Sequence, residues 1–314
     1  MLELTSPLEM AGPFLGRLAH VSPALLAIAL ALQLLKVGVM SQVWRRILQA
    51  AYPSTHIRTR DTVAPYVAGV GINAVVPAKA GVLARAVLMK RRLPGATYEG
   101  LTMTMLVESL LGMVALVGLL PIAIAMGVVP SPAGFTPHTA SLVPGGAPVA
   151  LLASLFRALA VVRGGRRRAG LRDSFRRFRQ GAAILGRAKA LSQALLGTVA
   201  AWALRLSCIC AFLAAFGLDS TPRTVLLVVI AQMLSSFVPI APNGAGAQQG
   251  LMVLLLAGVA TPASILTFSL GMQAAIALVD VVAGAVALAA HGNPLRVLHE
   301  IRATPDDALP LPAT

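Results

Sequence analysis

The sequence predicts an all-α, polytopic integral membrane protein with about five full spans and two re-entrant helical hairpins in an inverted-topology repeat. Three observations carry this prediction. First, 57% of the 314 residues are hydrophobic and only 12% are charged, about half the charge of a typical soluble domain. Second, the charge is segregated. Residues 157–189 hold eleven basic residues against one acid, Asp173, out of a formal net charge of +15. Third, two apolar stretches are interrupted at prolines and are too short on either side to span comfortably.

Five uninterrupted runs are long enough to cross: Pro23–Val43, Glu99–Met126, Val143–Val162, Ser192–Phe216 and Ala263–Ala290. Each approaches or exceeds the ~20 residues a spanning helix needs. Thr62–Val76 ends at Pro77, and Ala78–Arg92 follows with Lys90, Arg91 and Arg92 at its end. Arg58 and Arg60 flank the other side, so this pair reads as a hairpin that enters from the cytoplasm and returns there. Val225–Val238 breaks at the segment from Pro239 through Pro242 to Gly246, and Ala247–Gly258 resumes it between flanks with little charge. This second hairpin reads as entering from outside. Backbone breaks at membrane depth are tolerated where protein or a wet cavity surrounds them.

Basic residues in short loops stay on the cytoplasmic side. Residues 1–20 carry Glu3 and Glu9 without a basic leader, and Trp44-Arg45-Arg46 follows the first run. An external amino end then puts 45–60, 90–92, 163–190 and Arg296 with Arg302 inside. The uncharged loop Gly127–Leu142 falls outside. The domain order is an extracytoplasmic segment 1–20 and a transmembrane domain 21–291. Within that domain lie repeat one (21–126), a linking span (143–162), the basic loop (163–190) and repeat two (192–290). A disordered cytoplasmic tail, 292–314, completes the chain. A plasma-membrane location is expected.

Polar residues inside the apolar runs are the candidates for function, because intramembrane charge is costly and faces cavities or partners. A half-helix beginning after Pro77 would offer its free N–H groups and positive dipole end to an anion, with Lys79 and Arg85 nearby. A second helix start after Pro242 carries Gln248 and Gln249 in its first turn. Two such ends converging would form an anion-tolerant pocket. Glu108, Arg205 and Asp280 are expected to balance charge or relay protons, with Glu108 and Asp280 as counter-charges to Lys79, Arg85 and Arg205. Static ion pairing that only fixes packing fits them equally well. Gln273 and Asp280, seven residues apart, share a helix face. Lys36 reads either as snorkelling or as facing a pore. Cys208 and Cys210 point about 200° apart on a helix, so they are not expected to bond to each other.

Other classes are disfavoured. The basic charge sits in loops between spans, which suits topology and anionic lipid and not nucleic acid. There is no P-loop, nucleophile elbow, HExxH or CxxC spacing. The five histidines lie at or near loops. No metal, no cofactor and no catalytic residue is expected. An intramembrane enzyme using Glu108 and Asp280 is the weakest alternative.

The residues from Gly69 to Arg85, with Asn73, Pro77, Lys79 and Gly81 between, resemble the first motif of the flippase-like domain family. That family comprises the transmembrane region of lysylphosphatidylglycerol synthases and their stand-alone relatives. Lys79 stands for an arginine of the motif and Val82 for an acid. Glu108-Ser109 is similar to the Glu-Arg that opens the next span. Pro242-Asn243-Gly244-Ala245-Gly246-Ala247-Gln248-Gln249 resembles Pro-Gly-Gly-x-Gly-x-x-Glu, with Gln249 in the acid's place. Gln273 occupies a position where relatives often carry arginine. The resemblance covers about residues 20–290. It implies translocation of a lipid or lipid-linked substrate between leaflets; the converging helix starts with Lys79 and Arg85 point to an anionic headgroup. It implies Asn73, Lys79, Arg85, Asn243, Gln248, Gln249 and Gln273 as binding residues. Pro77, Gly81, Pro242, Gly244 and Gly246 become structural hairpin tips. Membrane lipids are the expected partners. The alternative is a non-transporting scaffold for a lipid-modifying or glycosyl-transferring enzyme.

Overall fold

The computed structural model describes residues 21–76, 80–93, 95–125, 183–235 and 246–290. Pro77, Lys79, Pro242, Asn243, Gly244, the predicted span 143–162, most of the basic loop and both terminal segments lie outside the described residues. The described residues form eight α-helices and no strand. These are α1 (Pro23–Ala51), α2 (Thr59–Val75), α3 (Ala80–Lys90), α4 (Tyr98–Ala125), α5 (Ala188–Ala215), α6 (Pro222–Ser235), α7 (Ala247–Leu255) and α8 (Pro262–Ala289). By length and composition α1, α4, α5 and α8 can cross a membrane. They coincide with four of the five predicted spans, and the fifth falls outside the described residues. The protein is a helical membrane protein.

Helix α1 runs eight residues beyond the apolar run that predicts it, to Ala51. Hydropathy falls at Trp44-Arg45-Arg46, but the helix continues because one face stays apolar. Trp44, Ile47 and Leu48 are fully buried, while Arg45 on the other face donates to Gln42 Oε1 at 3.0 Å. Gln49 then fastens the turn, donating to the Thr55 carbonyl at 2.8 Å and accepting from the Ile57 N–H at 3.0 Å.

Both interrupted stretches form separate helices. The α3 N-terminus leaves backbone donors without intrahelical partners, and Asn73 of α2 supplies one acceptor. Its Oδ1 takes the Gly81 N–H at 2.8 Å. A Cβ on Gly81 would overlap the Gly69 carbonyl oxygen and lie 2.6 Å from Asn73 Cγ, so only glycine lets α3 start against α2. At the other break, Gly246 has φ +86°, a conformation glycine adopts at little cost. Its N–H donates to Gln249 Oε1 at 2.6 Å, the returning half of a capping box. The short α7 packs on both α6 and α8.

The chain divides into two compact units. The first draws on residues 1–40, 66–81 and 200–292, and the second on 41–65, 82–199 and 293–314. Helices α1, α2, α3 and α5 therefore contribute to both. The core of the first unit gathers Ala29, Cys208, Phe212, Val228, Met252, Phe268 and Met272. Phe216 meets Phe268 edge to face at 5.8 Å, and Gly271 makes room for the Phe216 ring. Both cysteines are free. Cys208 Sγ donates to the Ala29 carbonyl at 3.2 Å. In the same unit α2 and α8 touch backbone to backbone. A Cβ on Gly71 would lie 2.7 Å from the Asp280 carbonyl oxygen, and one on Gly284 would lie 2.8 Å from Gly71 Cα. Small residues let membrane helices approach this closely. In the second unit Trp44 Nε1 donates to Thr104 Oγ1 at 3.1 Å, tying α1 to α4.

Candidate functional site: a polar cavity in the first unit

A cavity of about 350 Å³ opens among α2, α5, α6, α7 and α8. Its polar lining is Asn73, Arg205, Gln232, Gln248, Gln273 and Asp280, and its apolar wall includes Val70, Ala74, Met272, Ile276 and Ala277. Val70, Asn73 and Ala74 belong to the first interrupted stretch and Gln232 and Gln248 to the second, so residues of both predicted hairpins reach the same space. Gln273 and Asp280 both line it, as their seven-residue spacing on α8 predicts.

Each lining charge is held by an amide. Arg205 Nη2 donates to Gln232 Oε1 at 2.8 Å, and its guanidinium lies 5.0 Å from the Trp202 ring centroid. Asp280 accepts from Gln33 Nε2, with both carboxylate oxygens at 3.0 Å. Gln33 Oε1 in turn accepts from Lys36 Nζ at 2.7 Å. The Gln33 amide thus points its NH₂ at the anion and its oxygen at the cation, the orientation that satisfies both. Lys36 sits beside the amide that binds Asp280. Among the described residues the side-chain hydrogen-bond partner of Asp280 is Gln33, and that of Arg205 is Gln232; Lys79, another of the expected counter-charges, lies outside the described residues. Gln33 and Gln232 were missed from the sequence. Their one signal is a polar amide within an apolar run, a pattern that seeks an interhelical hydrogen bond.

Arg85 and Glu108 are brought together in the second unit, outside the cavity lining. Arg85 Nη2 donates to Glu108 Oε2 at 2.6 Å, with side-chain exposures of 11% and 7%. The guanidinium sits 4.5 Å from the Trp44 ring centroid. Glu108 is the counter-charge of Arg85, as expected. Gln249 is buried, and its Nε2 donates to Gln273 Oε1 at 2.6 Å. In the pattern the chain resembles, those two positions carry an acid and an arginine; here they are a neutral amide pair in contact. Gln248 is buried and lines the cavity. No cluster of three or more metal-ligating side chains occurs among the described residues.

No curated protein and no solved structure matches this chain. The family model of the lysylphosphatidylglycerol synthase TM region matches residues 11–284. That match covers most of the chain, together with every residue that lines the cavity, and the protein belongs to this family.

Proposed function

We propose that the protein moves a membrane lipid or lipid-linked substrate between leaflets. A phosphate-bearing, anionic headgroup enters the cavity beside Arg205 while the tails stay in the bilayer. The single observation that carries this reading is a cavity whose lining includes an arginine, a carboxylate and four side-chain amides, built by helices of a membrane protein. The guanidinium fork suits a phosphate. The amides of Gln248 and Asn73 add donors, and the family name, that of a lysyl-lipid synthase's membrane region, supports a lipid as the cargo. No bond is made or broken in this reading.

Two re-entrant hairpins, α2–α3 and α6–α7, give the cavity its place. At 1.5 Å per residue the four helices are about 25, 16, 21 and 14 Å long, each short of the ~30 Å hydrocarbon core. A repeat is supported by the way each hairpin ties to the next span. Arg85 of α3 bonds Glu108 of α4, and Gln249 of α7 bonds Gln273 of α8. Glu108 and Gln273 stand at nearly the same depth along their helices. The inverted orientation, the external amino end, the cytoplasmic carboxyl end and the plasma membrane belong to the same proposal. Single cysteines at the two breaks, in a background lacking Cys208 and Cys210, are expected to react with membrane-impermeant reagent more slowly than loop positions. Fast labelling of both breaks, each from the side its flanks face, would remove the hairpins.

The direct test is leaflet exchange in reconstituted vesicles. Arg205→Ala is expected to slow lipid movement at least about tenfold, because the charge-assisted bond to phosphate is lost. Unchanged exchange in that variant would remove the site. A second reading, a non-transporting partner of a lipid-modifying or glycosyl-transferring enzyme, is favoured by one observation: Arg85 with Glu108, and Gln249 with Gln273, are spent on each other. It predicts a co-purifying enzyme and no lipid movement by the protein alone.

A further inference from the structure

The geometry points to a zwitterionic headgroup, phosphate joined to a primary ammonium, as the cargo of the cavity. This rests on the transport reading above, keeps its phosphate beside Arg205, and replaces the net-anionic headgroup with one that carries its own cation. Among the described residues the cavity lining carries two charges of opposite sign, Arg205 and Asp280. They line one space without forming a salt bridge to each other. Each is held back by its own amide, Gln232 for Arg205 and Gln33 for Asp280. Two separated charges of opposite sign suit a guest carrying the same two charges in the reverse order.

The bonding capacity left over fits that guest. A guanidinium has five N–H donors, and one of those on Arg205 goes to Gln232. A carboxylate has about four lone-pair sites, and Gln33 takes one on each oxygen of Asp280. Arg205 therefore keeps donors for phosphate oxygens, and Asp280 keeps acceptors for an ammonium. An anionic headgroup would satisfy Arg205 but bring like charge towards Asp280, which a low-dielectric site penalises. A cationic one would do the reverse. The cavity volume is near the lower end of small-ligand pockets, the scale of a headgroup and not of a whole lipid.

The test uses the full chain in phosphatidylcholine vesicles, with trace lipids labelled on an acyl chain. Three are compared: phosphatidylethanolamine, N-acetylated phosphatidylethanolamine, which keeps the phosphate and loses the ammonium, and phosphatidylglycerol. The host lipid's trimethylated ammonium has no N–H to give Asp280. Phosphatidylethanolamine is expected to move about tenfold faster than either of the others, the scale of one charge-assisted hydrogen bond. Asp280→Asn is expected to bring its rate to that of the acetylated lipid. Equal rates for all three in the unaltered protein overturn the zwitterion and leave transport standing. So does a preference that survives Asp280→Asn. Movement of none of the three overturns both this inference and the function it rests on. The comparison among lipids needs no variant, so it holds even if Asp280→Asn fails to fold.

Discussion

Glu108→Ala is expected to destabilise the protein by about 3–5 kcal/mol, the usual cost of leaving one partner of a buried ion pair without the other. The Arg85 guanidinium would keep its buried place beside Trp44 and lose its 2.6 Å bond to the carboxylate. Glu108→Gln keeps an acceptor at that point and should cost clearly less. The double change Arg85→Met with Glu108→Leu should recover most of the loss, since an apolar pair of similar volume often replaces a buried ion pair without penalty. Denaturant or thermal unfolding in detergent measures all three. An unaltered midpoint for Glu108→Ala would show that the pair contributes nothing to the fold.

Gly284→Leu is expected to prevent assembly of α8 on α2. The first atom of any side chain there meets Gly71 Cα at 2.8 Å and the Val67 carbonyl oxygen at 3.3 Å. Both are backbone, and neither can rotate away. Even Gly284→Ala should cost about 1–3 kcal/mol, the range for overpacking a filled site. It should also slow lipid exchange, because α2 and α8 carry Asn73 and Asp280 on the cavity wall and would be pushed apart. Gly112→Ala is the control. Nothing lies within 4 Å of its added atom, so that change should be neutral or stabilise the helix slightly. Thermal midpoints of the three purified variants decide the matter. Equal midpoints for Gly284→Leu and Gly112→Ala would exclude a backbone contact between the helices.

The spans were legible because burial in lipid demands long apolar runs, and α4, α5 and α8 end within a few residues of where those runs end. The end of α1 was not, because hydropathy reports the solvent and not the helix: Trp44, Ile47 and Leu48 keep one face buried past the arginines. The breaks before Ala80 and Ala247 were legible from proline and glycine. Charges such as Glu108 and Asp280 announce themselves in an apolar run, yet nothing along the chain names their partners. Glu108 takes the expected arginine, whereas Asp280 takes an amide 247 positions away. Gly71 and Gly284 escaped notice for a related reason. A close crossing is a property of two distant helices, and a lone glycine in either sequence looks like any other.

That separation in sequence has a bearing on how the molecule is made. Lys36 and Gln33 enter the bilayer with the first described helix, while their acidic counterpart arrives with the last. Until ribosomal synthesis has delivered residue 280, the lysine amine has Gln33 of its own helix as a partner, but that amide lacks the carboxylate its NH₂ later binds. The relay from amine through amide to acid is completed only when the closing helix is laid down.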